Sequence, residues 1–404
     1  MQPLQGLKVV DLSTVVFGPL ASQLLGDYGA EVIKVETPEG DSTRRTGPAR
    51  EEGMAAMFLG INRNKKSVVL DLRQGEAQAA LQALVAGADV FMHSMRPQKL
   101  ARLGIDPQTL LARHPRLVYA GLHGFAQGGP YAGKPAYDDV IQGMSGIADL
   151  MEQQGGAARY LPMVAADKTC GHIAAHAILA ALMRRERTGQ GGFVEIPMFE
   201  SMVGFNLVEH MYGQHFEPAL GGAGYPRALA PSRRPYATAD GHVAMMPYTD
   251  AHWLRFFTAA GQPELAKDAR FCSMAQRTVH IDALLDIAAE VIRREPSRYW
   301  IETCERLEIP VAPITRLADL QQDPHLRATG YFQRTEDPAM GALNFPANPV
   351  RFDGQRLPVR MPPRLGEHTR ACLLDAGLAA AQIDVLLAAG PGPAPLATTT
   401  ETTS

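Results

Sequence analysis

The sequence predicts an α/β fold with a parallel sheet, accompanied by a smaller α+β domain taken from the middle of the chain. Three observations predict it. Apolar strand-like runs alternate with helical stretches through the first half. The 404 residues exceed one ordinary compact domain. The composition changes at residues 216–240, FEPALGGAGYPRALAPSRRPYATAD, a Gly-, Pro- and Arg-rich linker or binding loop.

Taken in order, residues 7–12, LKVVDL, read as a buried strand. Pro19 opens an apolar helix, PLASQLLGDYG, at a position where proline's missing N–H costs nothing. Gly29 stops that helix and AEVIKVE (30–36) follows as a second strand, completing a parallel α/β unit. The alternation continues with SVVLDL (67–72), a helix over 74–86, DVFMH (89–93), helices near 97–113 and LVYAGLHGF (117–125). A long helical stretch over 167–188, the strand FVEIPMF (193–199) and an apolar helix to about 215 close the first part. Beyond the linker come a strand in GHVAMMPY and the helices DAHWLRFFTAA, DALLDIAAEVIRRE and SRYWIETCERLE. IPVAPI (309–314) leads back to a helix in LGEHTRACLLDAGL. The expected domains are therefore 1–215 with 325–390, then 225–324, then a low-complexity, disordered tail at 391–404.

Composition excludes several classes. A net charge of -3 leaves no electrostatic footprint for nucleic acid. Cys170, Cys272, Cys304 and Cys372 form no CxxC pair, which argues against a disulfide framework or zinc site and fits a reducing compartment. The N-terminus lacks a basic segment followed by an apolar one, so no leader peptide is expected. Without a run of about 18 apolar residues no membrane span is expected, and the cytoplasm is the expected address.

Three places can carry chemistry. The first is the turn after the first strand, Ser13 to Pro19, because ligands of doubly wound sheets bind beyond the carboxyl ends of strands. A dinucleotide enzyme would place GxGxxG there; Gly18 is the single glycine, so the turn reads equally as a phosphate cradle at a helix start or as a tight connection. The second is GLHGFAQGGPYAGKPAYDD (121–139), whose glycines allow backbone to approach a ligand and whose Lys134, Tyr137, Asp138 and Asp139 are polar; a solvent loop fits as well. The third is Asp167, between apolar VAA and a small-residue helix, where it reads as an N-cap kept ionised by the helix dipole. His172 and His176 have metal-ligand spacing, but neither HExxH nor a third ligand accompanies them, so no metal is expected. Arg44, Arg45, Arg50, the NRNKK segment (62–66), Arg96, Lys99, Arg102, Arg233 and Arg234 suit phosphates or carboxylates, and otherwise read as solvated charges. Cys170 reads as buried rather than nucleophilic.

These pieces together resemble one family. GLKVVDLS…GPLASQLLGDYGAEVIKVETPEGDSTR, NRNKKSVVLDL, DVFMHSMRPQKLARLG, GFAQGGPYAGKPAYD, AADKTCGHIAAHAILAALMRRERTGQGGFVEIPM and PRLGEHT run in the order seen in class III CoA-transferases of the formyl-CoA and carnitine CoA-transferase type. The resemblance implies a large Rossmann-like domain built from both chain ends, a small middle domain, and two chains threaded into an interlocked homodimer. It places the family's nucleophilic aspartate on Asp167, which exchanges an acyl group and CoA through an anhydride and an aspartyl-CoA thioester, with no metal or redox cofactor. CoA contacts carry over to Val16 and Phe17, Leu70 and Arg73, Ser94, Met95 and Arg96, Arg102, and Lys134, Tyr137 and Asp138.

Formyl-CoA transferases have a glutamine where this chain has Val16, a basic residue where it has Thr37, and a glycine run that it lacks; these departures argue against formate and oxalate as substrates. α-Methylacyl-CoA racemases share the fold, but that branch has a histidine where Tyr137 stands. The expected activity is CoA transfer from an acyl-CoA, such as succinyl-CoA, to a carboxylic acid, such as a small dicarboxylate, with 2-methylacyl-CoA racemisation as the alternative. The arginines of GYPRALAPSRRPY suit a second carboxylate.

Overall fold

A computed structural model describes residues 2–389, so the expected tail at 391–404 lies outside the described residues. Six short, mostly buried strands form one all-parallel sheet: β1 (Lys8–Leu12), β2 (Glu31–Glu36), β3 (Lys65–Val69), β4 (Val90–His93), β5 (Val118–His123) and β6 (Gly192–Pro197). Their order is β3-β2-β1-β4-β5-β6, that of the doubly wound dinucleotide-binding fold, with its switch point between β1 and β4. Each strand lies within two or three residues of its expected place.

The two faces of the sheet differ because side chains alternate along each strand. On one face Val10, Leu12, Ile33, Val35, Val68, Phe91 and Tyr119 meet Leu81, Leu84, Leu110 and Leu373 in an apolar core. Each such burial contributes roughly 1.5–3 kcal/mol. Leu373 belongs to the helix Thr369–Asp375, far along the chain. This segment covers the β3 edge: the Val69 N–H donates to Thr369 Oγ1 (3.1 Å), and the His368 N–H donates to the Ser67 carbonyl (2.9 Å). A covered edge cannot template pairing with another chain.

The opposite face carries charge. Asp11, Lys34, Glu36, Asp41, Arg44 and Lys65 are all buried. Lys34 pairs with Asp41 at 2.9 Å, Arg44 grips both oxygens of Glu36 at 2.7 and 2.8 Å, and Lys65 lies 3.7 Å from Asp11. Burial pulls the Lys65 ammonium down to about 7 against the attraction of Asp11. Burial also disfavours charge on Glu36, but Arg44, Lys34 and Ser67 outweigh it and hold that carboxyl below its ordinary value. Arg63, likewise buried, pairs with Asp27 at 2.6 Å. Arg44 and the NRNKK basic residues Arg63 and Lys65 are thus internal, not solvated. Their local sequence is polar, and only the carboxylates packed against them make burial tolerable.

By contact, the chain divides into two compact units. One comprises the residues up to 144, residues 163–202 and the chain from 328 onward; the other comprises 145–162 and 203–327. The compositional change at 216 therefore marks an irregular segment inside the second unit rather than a boundary. That unit holds a three-stranded antiparallel sheet (Tyr236–Ala237, His242–Met245, Val311–Pro313) and helices whose Trp253, Phe256, Phe257, Leu284, Ile292 and Trp300 form its core. The supposed linker includes the helix Pro226–Leu229 and the strand Tyr236–Ala237. Its Arg227 is buried against the sulfurs of Met246 and Met274. Among the described residues no helix is long and apolar enough to cross a membrane.

Removing one partner of a buried ion pair leaves the other uncompensated, at a cost of about 3–5 kcal/mol. Glu36→Leu, which strands Arg44 and the Ser67 hydroxyl, is expected to lose stability on that scale in urea unfolding. A loss of roughly 1 kcal/mol or less would mean that Arg44 finds water.

Candidate active site

The site begins at the β1 turn. Asp11 accepts the Ser13 N–H (2.8 Å) and the Ser22 hydroxyl (2.5 Å), while Lys34 donates to the Ser13 carbonyl (2.9 Å). Asp41 accepts the Val15 N–H at 3.3 Å. Val15 has φ 69°, in the left-handed region that a β-branched residue enters only when its surroundings compel it. At Gly18 a Cβ would sit 2.2 Å from Ser13 Cβ. At Gly171 one would sit 3.0 Å from the Phe17 carbonyl oxygen. Gly18 thus lets the helix Phe17–Asp27 close on the β1 turn, and Gly171 lets the helix Ala165–Thr188 approach the start of that first helix, which sets the start of the long helix beside the turn.

Asp167 is the third residue of that long helix, whose N-cap is Val164. The N-cap reading of Asp167 is therefore corrected. Its own N–H donates to Asp138 Oδ1 at 2.9 Å, and Asp138 Oδ2 accepts from Gln142 at 2.5 Å. Asp167 is 7% exposed. Burial first, and the Asp138 charge second, push its carboxyl up to about 7. The helix start does not keep it strongly ionised, because desolvation and a like charge outweigh the dipole.

Two adjoining cavities open at the carboxyl ends of the strands. The first, of about 200 Å³, is lined by Asp167 together with Thr14, Phe17, His123, Lys134 and Tyr137. The second, of about 510 Å³, is lined by Thr37, Leu70, Leu72 and Lys99. Ser94, Met95, Arg96, Thr14 and Tyr137 line both. The β4 lip is held by two bonds: the Thr14 N–H donates to Ser94 Oγ (3.2 Å), and the Met95 N–H donates to His93 Nδ1 (3.1 Å). Lys134 stacks over Tyr131 at 4.5 Å, which anchors the glycine loop.

Of the residues expected here, Phe17, Ser94, Met95, Arg96, Lys134 and Tyr137 share the cavity with Asp167, and Leu70 lines the larger one. Four lie outside both linings. Val16 is buried at the N-cap of the first helix. Arg73 is exposed and doubly bonded to Asp71. Arg102 sits exposed on the 3-10 turn Ala101–Leu103. Asp138 stands behind Asp167 and holds its amide. Thr14, in the candidate turn, and Lys99, among the basic residues suited to phosphate, also line the cavities, whereas sequence reasoning gave His123 no role; its strand-end position, in GLHG, was the available signal. Cys170 is buried beside the Met198 carbonyl, and burial pushes its thiol up to about 12, which disfavours the thiolate. His172 and His176 are exposed. Among the described residues no group of three or more His, Cys, Asp and Glu is gathered as for a metal.

A sequence profile described as CoA-transferase family III matches residues 4–369. The "Probable fatty acyl-CoA transferase" of Mycobacterium tuberculosis is 32% identical over 316 residues, 74% of this chain and 79% of its own length. The "Succinate--glutarate CoA-transferase" of Agrobacterium fabrum is 30% identical over 393 residues, 92% of this chain and 95% of its own. The crystal structure of a CAIB/BAIF family protein from Brucella suis superposes with a TM-score of 0.77 at 32% identity, covering 93% of this chain and 99% of that one.

Ionising a buried carboxyl with a raised pKa costs folded-state stability, and the cost grows as pH rises from the unfolded value of 3.8 to the folded value of about 7. Asp167→Asn is therefore expected to melt higher than the parent at pH 8, with the gap shrinking towards pH 4. Thermal melts across that range check it; a gap independent of pH would show that Asp167 titrates normally.

Proposed function

The chain belongs to CoA-transferase family III and is an enzyme of that type, and from that premise we propose that it moves CoA from an acyl-CoA such as succinyl-CoA to a small dicarboxylic acid, with Asp167 as the covalent carrier. The observation that carries the proposal is Asp167 itself: a nearly dehydrated carboxyl facing a strand-end cavity that continues into a larger, cation-bearing one. A dehydrated carboxylate is a stronger nucleophile than a solvated one, and a site that keeps water out protects an anhydride from hydrolysis.

In the proposed sequence the Asp167 carboxylate attacks the donor's thioester carbonyl. The carbon–sulfur bond breaks, the CoA thiolate leaves, and an aspartyl–acyl anhydride remains. The thiolate then attacks the aspartyl carbonyl, which expels the donor acid and leaves Asp167 as a CoA thioester. The acceptor carboxylate attacks that thioester, again giving an anhydride and free thiolate. Attack of the thiolate on the acceptor's carbonyl releases the new acyl-CoA and restores Asp167. Arg96 and Lys99, at the larger cavity, are suited to the phosphates of CoA, and Lys134 is suited to an anionic group nearer Asp167. The name of the Agrobacterium relative, which pairs succinate with glutarate, supports the dicarboxylate assignment. The family resemblance supports an interlocked homodimer, and the apolar side chains of Phe205 and Val208, three residues apart on the helix Met198–His210 and each more than half exposed, are suited to cover by a second chain.

Three outcomes are expected. With succinyl-CoA and a panel of mono-, di- and long-chain carboxylic acids, intact-mass measurement of CoA esters is expected to show new thioesters chiefly for dicarboxylates; exchange confined to fatty acids would overturn the substrate assignment. Loss of α-deuterium from a 2-methylacyl-CoA without acyl exchange would replace transfer by isomerisation. Asp167→Ala is expected to fold and bind CoA while losing transfer by at least about 10³-fold, the scale for losing a covalent nucleophile. Asp138→Asn removes the like charge, so the acid limb of the activity profile, set by Asp167 near 7, is expected to move to lower pH.

A further inference from the structure

His123 ends β5, is 8% exposed as a residue, and lines the cavity that holds Asp167. Among the described residues no protein hydrogen bond to its ring nitrogens is found, and these nitrogens are not among the fully enclosed unsatisfied atoms, so they open to the cavity. The neighbouring His93 ring, 5.7 Å away, shows the contrast. His93 Nδ1 accepts the Met95 N–H, which puts its proton on Nε2; that N–H donates to the Tyr119 hydroxyl (2.9 Å), and the hydroxyl donates to the Ile105 carbonyl (2.7 Å). His93 is therefore neutral and fully engaged, with nothing left to offer His123. The nearby carboxylate of Glu195 is engaged too, accepting the Gln127 N–H at 2.8 Å. With no protein partner, the His123 nitrogens are left open to whatever fills the cavity.

The cavities tell which end of a substrate meets it. On the transferase reading, the nucleotide of a CoA ester is assigned to the larger cavity, the pantetheine arm to the shared Ser94–Arg96 lip and the reacting acyl end to the cavity of Asp167, whose linings these are. His123 lines only the cavity of the acyl end. An acid entering there carries negative charge towards Asp167 and Asp138, so a neutral N–H donor lining the same cavity offsets part of that repulsion without adding a fixed cation.

We propose that His123 donates a hydrogen bond to a carboxylate oxygen of the incoming acid and so determines which acids the enzyme accepts. This rests on the transferase reading above. His123→Phe keeps the ring and its contact with His93 but removes the donor, whereas His123→Gln keeps an N–H at similar reach. Steady-state transfer from succinyl-CoA is measured with each variant against the parent, with melting temperature and CoA affinity as folding controls.

The expected result is a rise of about 10-fold or more in KM for the acceptor acid in His123→Phe, the scale of a lost hydrogen bond to a charged group. The KM for the acyl-CoA should move far less, and His123→Gln should recover most of the loss. If His123→Phe does not fold, His123→Ala with added imidazole takes its place, and recovery of acid affinity by imidazole is the expected result. An unchanged acid KM overturns the proposal. So does an equal loss for the acid and for free CoA, which would place His123 against the pantetheine arm. A parent enzyme that transfers CoA to no acid would instead remove the functional reading, and this inference with it.

Discussion

The ion pairs buried beneath the charged face of the sheet hold the rest of the structure in register. Lys34 ties the Ser13 carbonyl to Asp41, and Asp41 in turn takes the Val15 N–H, so one ammonium on β2 fixes the shape of the turn after β1. Charges this deep are tolerated only when every partner is present. That requirement makes the turn rigid and keeps a β-branched residue in a left-handed conformation it would otherwise leave. The long helix then packs against this turn through Gly171, and its first turn delivers Asp167 to the cavity.

Asp167 occupies a position that stability alone would not choose. Burial and the Asp138 carboxylate both work against its ionised form, yet Asp138 is also the acceptor that fixes its amide. The same arrangement that raises the proton affinity of the carboxyl would raise its nucleophilicity once ionised. Perturbation of this kind is characteristic of functional sites. The apolar core on the other face, with Val10, Phe91 and Leu81 among its members, supplies the stability that offsets it.

Much of the fold was legible because its signals are local. LKVVDL and AEVIKVE carry their strand character in their own residues, and the helix between them is bounded by Pro19 and Gly29. The cavity residues at Ser94–Arg96 were placed by the family resemblance, and those at 133–137 lie in a glycine-rich loop after a strand, where such folds bind ligands. The burial of Arg44, Arg63 and Lys65 was not legible. A polar, basic segment reads as surface unless its carboxylate partners are known, and Asp27 lies 36 residues before Arg63. His123 was missed for a related reason: a histidine in a glycine-rich stretch has no local mark of being both buried and unbonded.

By itself the sequence determined the order of strands and helices, the absence of a dinucleotide fingerprint, and the family, since these depend on pattern along the chain. Only the tertiary structure decided that Asp167 lies inside the helix rather than at its cap, that Asp138 stands behind it and not in the cavity, and that its carboxyl is held up near 7. The physical reason is that burial and like-charge repulsion are set by groups brought together in space. Asp138 precedes Asp167 by 29 residues, and no local spacing encodes the low-dielectric site they share.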